Sequence, residues 1–383
     1  MASSFKKKSN RGRASYPAGT KISLHNNQLL ISSGVPSLDS LLGGGLAVGT
    51  VLLVEEDTHA CYANTLLKCF LAEGVASRHS LFLGTAAHDP NEIWKNLPCA
   101  VDDVNETEVS NGAKPPREGD NSMQIAWRYE NMPKVESNPK AVKFGHFFDF
   151  TKNVDVAKID KVSKYEYRSR DNWSEEAEKS ISSSRSLLNP EYQNLLNSIK
   201  KVVEENGHCT SNQELNDQTM LRIAVQSLES PLWCSQDDDD YSLTLFLYYL
   251  RGIVRTSYAV CLITLPSHIN QNPTFLNRVE RLCDTVVRLE SFAGSDKETN
   301  PTYRDYHGLF HIVRLPRLNS LTCYMPETLD LAFKLRRRKF VIEKLHLPPD
   351  VGETTSERQK DPLSRNPLSY GCGASLGGGK LDF

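Results

Sequence analysis

The sequence has 383 residues and a formal net charge of −2, with 39% hydrophobic and 24% charged residues. That is long enough to bury a substantial core in one large domain with insertions or in two ordinary ones, and too near neutrality for an overall basic nucleic-acid binder, so any RNA or DNA contact rests on local patches. No run approaches the roughly 20 apolar residues of a membrane span, and the basic N-terminus lacks the apolar segment of a secretory signal.

Residues 1–20 carry Lys6, Lys7, Lys8, Arg11 and Arg13 without an acidic residue. A disordered basic arm is expected there, either a solvated tail or an electrostatic handle for nucleic acid or nuclear import. KISLHNNQLLISSG follows, two short alternating segments about Asn26-Asn27, and reads as a β-hairpin. Ser37 is placed to cap a short helix carrying Leu38, Leu41 and Leu42. Gly43, Gly44 and Gly45 end it and allow a sharp turn into Val51–Val54, whose unbroken apolar run suits a central parallel strand.

Beyond Glu55-Glu56-Asp57-Thr58-His59-Ala60-Cys61-Tyr62, a helix carries Ala63, Leu66, Leu67, Phe70 and Leu71 at helical spacing. Strand His79–Leu83 leads to a helix start at Asp89-Pro90. Two polar stretches, about 99–122 and 160–186, read as insertions. Between them Gln124–Met132, QIAWRYENM, is short and amphipathic; Trp127 and Arg128 suit either an interface anchor or an ordinary core helix. The helical pattern returns at Asn189-Pro190.

The core resumes with strand Leu221–Val225, a helix over Tyr241–Val254, strand Ala259–Leu265, a helix through Phe275–Cys283, and strands Thr285–Leu289 and Gly308–Leu315. Charge at a helix N-terminus accounts for Asp237–Asp240 better than a cation site, because consecutive side chains diverge. His307 and His311 stand four apart in a strand, which separates them by roughly 13 Å and argues against a shared metal. Lys334, Arg336, Arg337, Arg338 and Lys339 form a basic cluster that suits nucleic-acid phosphates, a partner's acidic surface, or plain solvation. Residues 348–383 are rich in Pro, Gly and Ser and read as a disordered tail, leaving 21–347 as a single α/β domain. The nine cysteines include no CxxC pair, and Cys61, Cys69, Cys261 and Cys283 lie in apolar runs, as buried reduced thiols do.

The chemistry concentrates in Gly34–Leu71, the glycine turn, strand, loop and helix that in nucleotide-binding folds cradle phosphate. Such a loop needs glycines to wrap the phosphates, a Lys to reach them and a Ser or Thr for Mg²⁺. In this frame the first glycine position is Glu55, the later ones Thr58 and Ala60, the Lys Cys61 and the Ser/Thr Tyr62. Asp57 adds a third carboxylate beside Glu55 and Glu56, which would repel a triphosphate. The acidic residue expected after a core strand for Mg²⁺ is Gln226.

The approach to this loop resembles the RecA and KaiC family, in which G-x-x-x-L-D-x-L-L-G-G-G-L-x-x-G precedes the first core strand; Gly34, Leu38, Asp39, Leu41, Leu42, Gly43, Gly44, Gly45, Leu46 and Gly49 fit it. A RecA-like, doubly wound, mostly parallel sheet with helices on both faces is the fold implied. The altered loop, Ile125–Pro133 and Ser227-Leu228-Glu229-Ser230-Pro231-Leu232-Trp233 together resemble, over residues 20–345, the family of the fourth Elongator subunit. That resemblance implies an accessory subunit with no catalytic residue, cofactor, metal or membrane contact of its own. It implies a subunit alternating with Elongator subunits five and six in a heterohexameric ring that docks on subunits one to three. The ring would bind tRNA during wobble-uridine (U34) modification, in cytoplasm and nucleus. Two other readings are a divergent RecA/KaiC-type ATPase acting on nucleic acid and a filament-forming recombination protein.

Overall fold

Glycine stereochemistry shapes the entry to the core. In this computed structural model, which describes residues 16–23, 26–101, 144–169, 188–211, 220–233, 240–270, 272–320, 324–336 and 338–346, Gly43, Gly44 and Gly45 have φ of +82°, +115° and +135°. L side chains rarely adopt such values, and three in succession turn the chain sharply. Before them lie β1 (Thr20–Ile22) and β2 (Leu29–Ile31), the expected hairpin, with Asn27 at φ 54° in its turn. The short helix α1 (Pro36–Leu41) follows, and after the turn β3 (Leu46–Ala47) joins β2. Ser37 does not cap α1. Pro36 holds the first helical position and Val35 the cap position, while Ser37 Oγ accepts a hydrogen bond from the N–H of Ile342 at 3.0 Å.

The chain then alternates strand and helix: β4 (Val51–Glu55), α2 (Cys61–Ser77), β5 (Ser80–Thr85), α3 (Pro90–Lys95), the small antiparallel pair β6 (Pro98–Ala100) and β7 (Phe148–Asn153), α4 (Val156–Ile159) and β8 (Lys164–Arg168). It continues through α5 (Pro190–Glu205), β9 (Leu221–Val225), α6 (Asp240–Arg255), β10 (Ala259–Leu265), α7 (Pro273–Leu282), β11 (Thr285–Ser291), α8 (Asp296–Thr299), β12 (Gly308–Arg314), β13 (Leu331–Arg336) and β14 (Lys339–Lys344). Nine strands form the central sheet in the order β14-β13-β12-β11-β4-β10-β9-β5-β8. The six from β11 to β8 run parallel, and β12, β13 and β14 extend the sheet antiparallel.

The two-residue period of the strands sorts their side chains onto two cores. Leu52, Val54, Ala224, Leu262 and Phe310 pack toward α2 and the N-terminal hairpin. Val51, Leu53, Ile223, Ile263 and Val286 pack toward α5, α6 and α7. This is the RecA-like, doubly wound, mostly parallel sheet that the pattern predicted, in the compact unit ending at Leu345.

Two further expectations need correction. The polar stretch from about 160 supplies β8, an edge strand of the central sheet, and β6 reaches into the stretch from about 99. Cys61 is exposed, whereas Cys69, Cys261 and Cys283 are buried. Residues 102–143, with Trp127 and Arg128, and Arg337 lie outside the described residues. So do 1–15, 170–187, 234–239 and 347–383.

Candidate functional site

A helix N-terminus presents N–H groups that its own turns cannot satisfy, and in phosphate-binding loops an anion takes them up. At the start of α2 the anion belongs to the chain. Asp57 Oδ2 accepts from the N–H of Cys61 at 3.1 Å, and Asp57 Oδ1 accepts from Tyr62 at 3.0 Å and Ala63 at 3.1 Å. The residue is 2% exposed. The loop closes on itself through Ala60 N–H to the Asp57 carbonyl at 2.7 Å, with Ala60 at φ 53°. A position that the phosphate pattern reserves for glycine thus keeps a glycine-like conformation without the glycine. Thr58 and His59 are exposed at the tip.

Glu55 and Glu56 do not face a ligand space. Glu55 closes β4, is buried, and binds Arg288 Nε through Oε2 at 2.6 Å. Glu56 accepts from Ser227 Oγ at 2.8 Å, and its N–H donates to the Leu265 carbonyl at 2.8 Å. Burial pushes the Glu56 carboxyl above its ordinary range, opposed by the hydroxyls of Thr264 and Ser227.

Tyr62, where the pattern asks for the Mg²⁺-binding hydroxyl, sends its ring under the C-terminal hairpin. Ring centroids lie 4.6 Å from Phe333, 6.1 Å from His307 and 6.4 Å from Phe340. Gln226, at the end of β9, bridges the neighbouring elements. Its Oε1 accepts from Thr85 Oγ1 at 2.9 Å, its Nε2 donates to Asn64 Oδ1 at 2.7 Å, and its carbonyl accepts from Trp233 Nε1 at 3.0 Å. The structure therefore brings Glu55, Asp57, Thr58, Ala60, Cys61, Tyr62 and Gln226 to the carboxyl ends of β4 and β9, the strands that flank β10, the usual site for a ligand in this architecture. There the donors and acceptors that would serve a nucleotide are engaged with the chain itself.

The basic cluster runs along the β13–β14 hairpin, and its three described side chains each have a neighbour. Lys334 pairs with Glu343, Arg338 Nη1 lies 3.3 Å from Asp149 Oδ2, and Lys339 Nζ sits 4.7 Å from the centroid of the Phe147 ring. Arg338 keeps an exposed side chain, whereas Lys334 is largely covered.

Two features escaped the sequence. The first is a buried polar network beneath α2. Arg222 of β9 is fully buried; its Nε donates to His79 Nδ1 at 3.0 Å, and its Nη1 donates to the carbonyls of Ser32 at 2.8 Å and Phe70 at 3.2 Å. His79 Nε2 contacts the Ala18 carbonyl at 2.7 Å, so with Nδ1 accepting from Arg222 this ring carries its proton on Nε2. Burial and the neighbouring guanidinium push His79 down to about 3. Asp39 accepts from Ser32 Oγ at 2.5 Å and from the Ser33 N–H at 2.7 Å, yet burial raises it to about 6. One arginine inside the apolar run LRIAV was the available signal, since an isolated buried charge demands partners. The second feature is the outer face of α6, where Tyr241, Tyr248 and Tyr249 are 55%, 64% and 46% exposed. Rings left in water on a helix that is otherwise well packed mark a surface suited to a protein partner.

The model of the family described as PAXNEB protein matches residues 13–370. Relatives named Elongator complex protein 4 align along nearly the whole chain. The frog Xenopus laevis protein is 46% identical over 99% of this chain and 95% of its own length. The Homo sapiens protein is 44% identical over 96% and 88%. The Saccharomyces cerevisiae protein is 23% identical over 98% and 86%.

Proposed function

Because the chain belongs to the PAXNEB family, we propose that it serves as the fourth subunit of an Elongator complex, an accessory RecA-like subunit that assembles rather than hydrolyses. The observation that carries this reading is the near full-length likeness to proteins named Elongator complex protein 4. The nucleotide loop supports its second half, because Asp57 fills the anion cradle of α2 and neutral Gln226 stands in the Mg²⁺ position.

In this reading the chain alternates with Elongator subunits five and six in a heterohexameric ring, and the ring docks on subunits one to three. The ring binds tRNA in support of wobble-uridine (U34) modification, in cytoplasm and nucleus. The tyrosines of α6 offer contact area to a neighbour at low entropic cost. Arg338 and Lys339, at the tip of the β13–β14 hairpin, are the described members of the basic cluster placed to meet phosphate.

Tagged full-length chain purified under stringent washing, then weighed by native mass spectrometry, tests the proposal. Two copies of each of three subunits in one particle are expected. Recovery of homo-oligomers alone would overturn it. For the RNA role, replacing Arg338 and Lys339 by Ala should weaken tRNA binding by the assembled ring and reduce its salt slope; an unchanged slope removes this hairpin from the interface.

A further inference from the structure

One polar atom near the loop has no donor in reach. Glu55 is 1% exposed, its Oε2 is bound to Arg288 Nε at 2.6 Å, and its Oε1 is buried without a hydrogen-bond partner. A buried carboxylate oxygen left this way is costly, and native structures seldom tolerate it. Glu280, in the last turn of α7, lies against the same guanidinium, 3.3 Å from Arg288 Nη2, with its side chain 17% exposed. One guanidinium thus draws the two carboxyl groups together, through Nε to Glu55 and Nη2 to Glu280. Two carboxylates held side by side cannot bond to each other unless one of them carries a proton.

We propose that Glu55 and Glu280 share a single proton, donated by the Glu280 carboxyl to Oε1 of Glu55, and that Arg288 clamps the pair. The arrangement supplies the missing donor and leaves one negative charge opposite one guanidinium. The proton latches α7 onto the end of β4, at the position where a phosphate loop would begin with glycine. No bond other than the O–H changes, and the proton comes from solvent.

The surrounding charges agree. On β11, Glu290 is held by Lys297 of α8 at 2.6 Å and by His311 of β12 at 3.0 Å, so it has its own partners. Arg314 of β12 directs Nη1 to the backbone carbonyls of Glu280 at 3.0 Å and Arg281 at 2.6 Å rather than to a carboxylate. Leu265, the β10 residue paired with Glu55, brings no charge. Arg288 is thus the cation that bonds both acids. Burial first, then the charge of Glu55 and contact with it, raise Glu280 above the ordinary glutamate value, with Arg288 opposing.

The sign of the linkage gives the test. A group whose folded pKa lies above its unfolded value of about 4.5 favours folding at low pH, and that contribution fades as pH rises through the folded value. Denaturant unfolding of the full chain is measured from pH 5 to pH 8 for the wild type, E280Q and E280A. Gln keeps an N–H donor for Glu55 Oε1 and cannot titrate, so E280Q should fold like the wild type. The wild-type to E280Q ratio of unfolding constants should rise with pH, by up to tenfold per unit, then level off. Taking the ratio cancels Asp39 and His79. E280A, which leaves Oε1 without a donor, should be less stable than E280Q throughout. The infrared difference between wild type and E280Q, both with ¹³C-labelled glutamate, should show a protonated-carboxyl band at pH 5.5. A ratio independent of pH, or absence of that band, overturns the shared proton. So does stabilisation of wild type but not E280Q by added Mg²⁺, which would mean that a cation holds the pair.

Discussion

Asp57 shows how one side chain can retire a site without disturbing its frame. Read along the sequence it is a charge that repels phosphate; in the fold it is the anion that three N–H groups of α2 already hold. Asp57→Ala should leave those donors unsatisfied and cost about 2 kcal/mol, with Asp57→Asn costing less because one oxygen remains; urea unfolding of the two variants checks the order. Under α2, His79 and Asp39 make opposite contributions to acid stability. His79, depressed to about 3, stays neutral in the fold while the unfolded chain takes up a proton near pH 6.5, so stability falls as pH drops from 6.5 toward 3. Asp39, raised to about 6, binds its proton earlier in the fold than when unfolded, so stability rises as pH drops from 6 toward 3.8. Each contributes about 1.4 kcal/mol per pH unit inside its window, and the two nearly cancel between pH 6 and 4. Relative to wild type, His79→Gln should therefore gain stability on acidification and Asp39→Asn should lose it, as read from unfolding midpoints at pH 4.5 and 7. Equal slopes in all three proteins would contradict the assignment.

Among the elements, the glycine-rich approach was legible because its constraints are local. Gly34 sits at φ +87°, and a Cβ there would lie 2.3 Å from the Cys69 carbonyl oxygen on α2. Gly34→Ala should cost at least about 2 kcal/mol by forcing α1 and α2 apart, measurable as a lower unfolding midpoint. The strands at the two sheet margins were illegible for the opposite reason. β8, KYEYR, is charged at alternate positions and reads as surface; its place depends on a parallel register with β5, about 80 residues earlier. β13 and β14 alternate well enough, but the run Arg336–Lys339 at their turn drew attention to charge instead of pairing. What fixes this hairpin is contact with distant residues, Tyr62 against Phe333 and Ser37 to Ile342. Tyr62→Ala should remove roughly 2 kcal/mol and speed hydrogen exchange across β13 and β14 more than across β4 and β10. Uniform exchange would mean that the ring does not anchor the hairpin.

At the scale of the whole molecule, filled acceptors and donors at the strand ends predict that the purified chain, titrated with labelled ATP and Mg²⁺, shows no micromolar affinity; saturable micromolar binding by the monomer would revive the divergent ATPase. The sequence by itself determined the α/β class, most of the parallel core, the hairpin at the entry and the loss of the phosphate ligands, since each follows from residue type and short-range period. Only the tertiary structure decided what replaced those ligands. Asp57 turning back onto α2, Gln226 joining β5 to α2, Glu55 meeting Arg288 and Glu280, and the compensation of Lys334 and Arg338 all depend on residues far apart in the chain meeting in low dielectric. There a charge or polar group must find a partner, and sequence order does not name it.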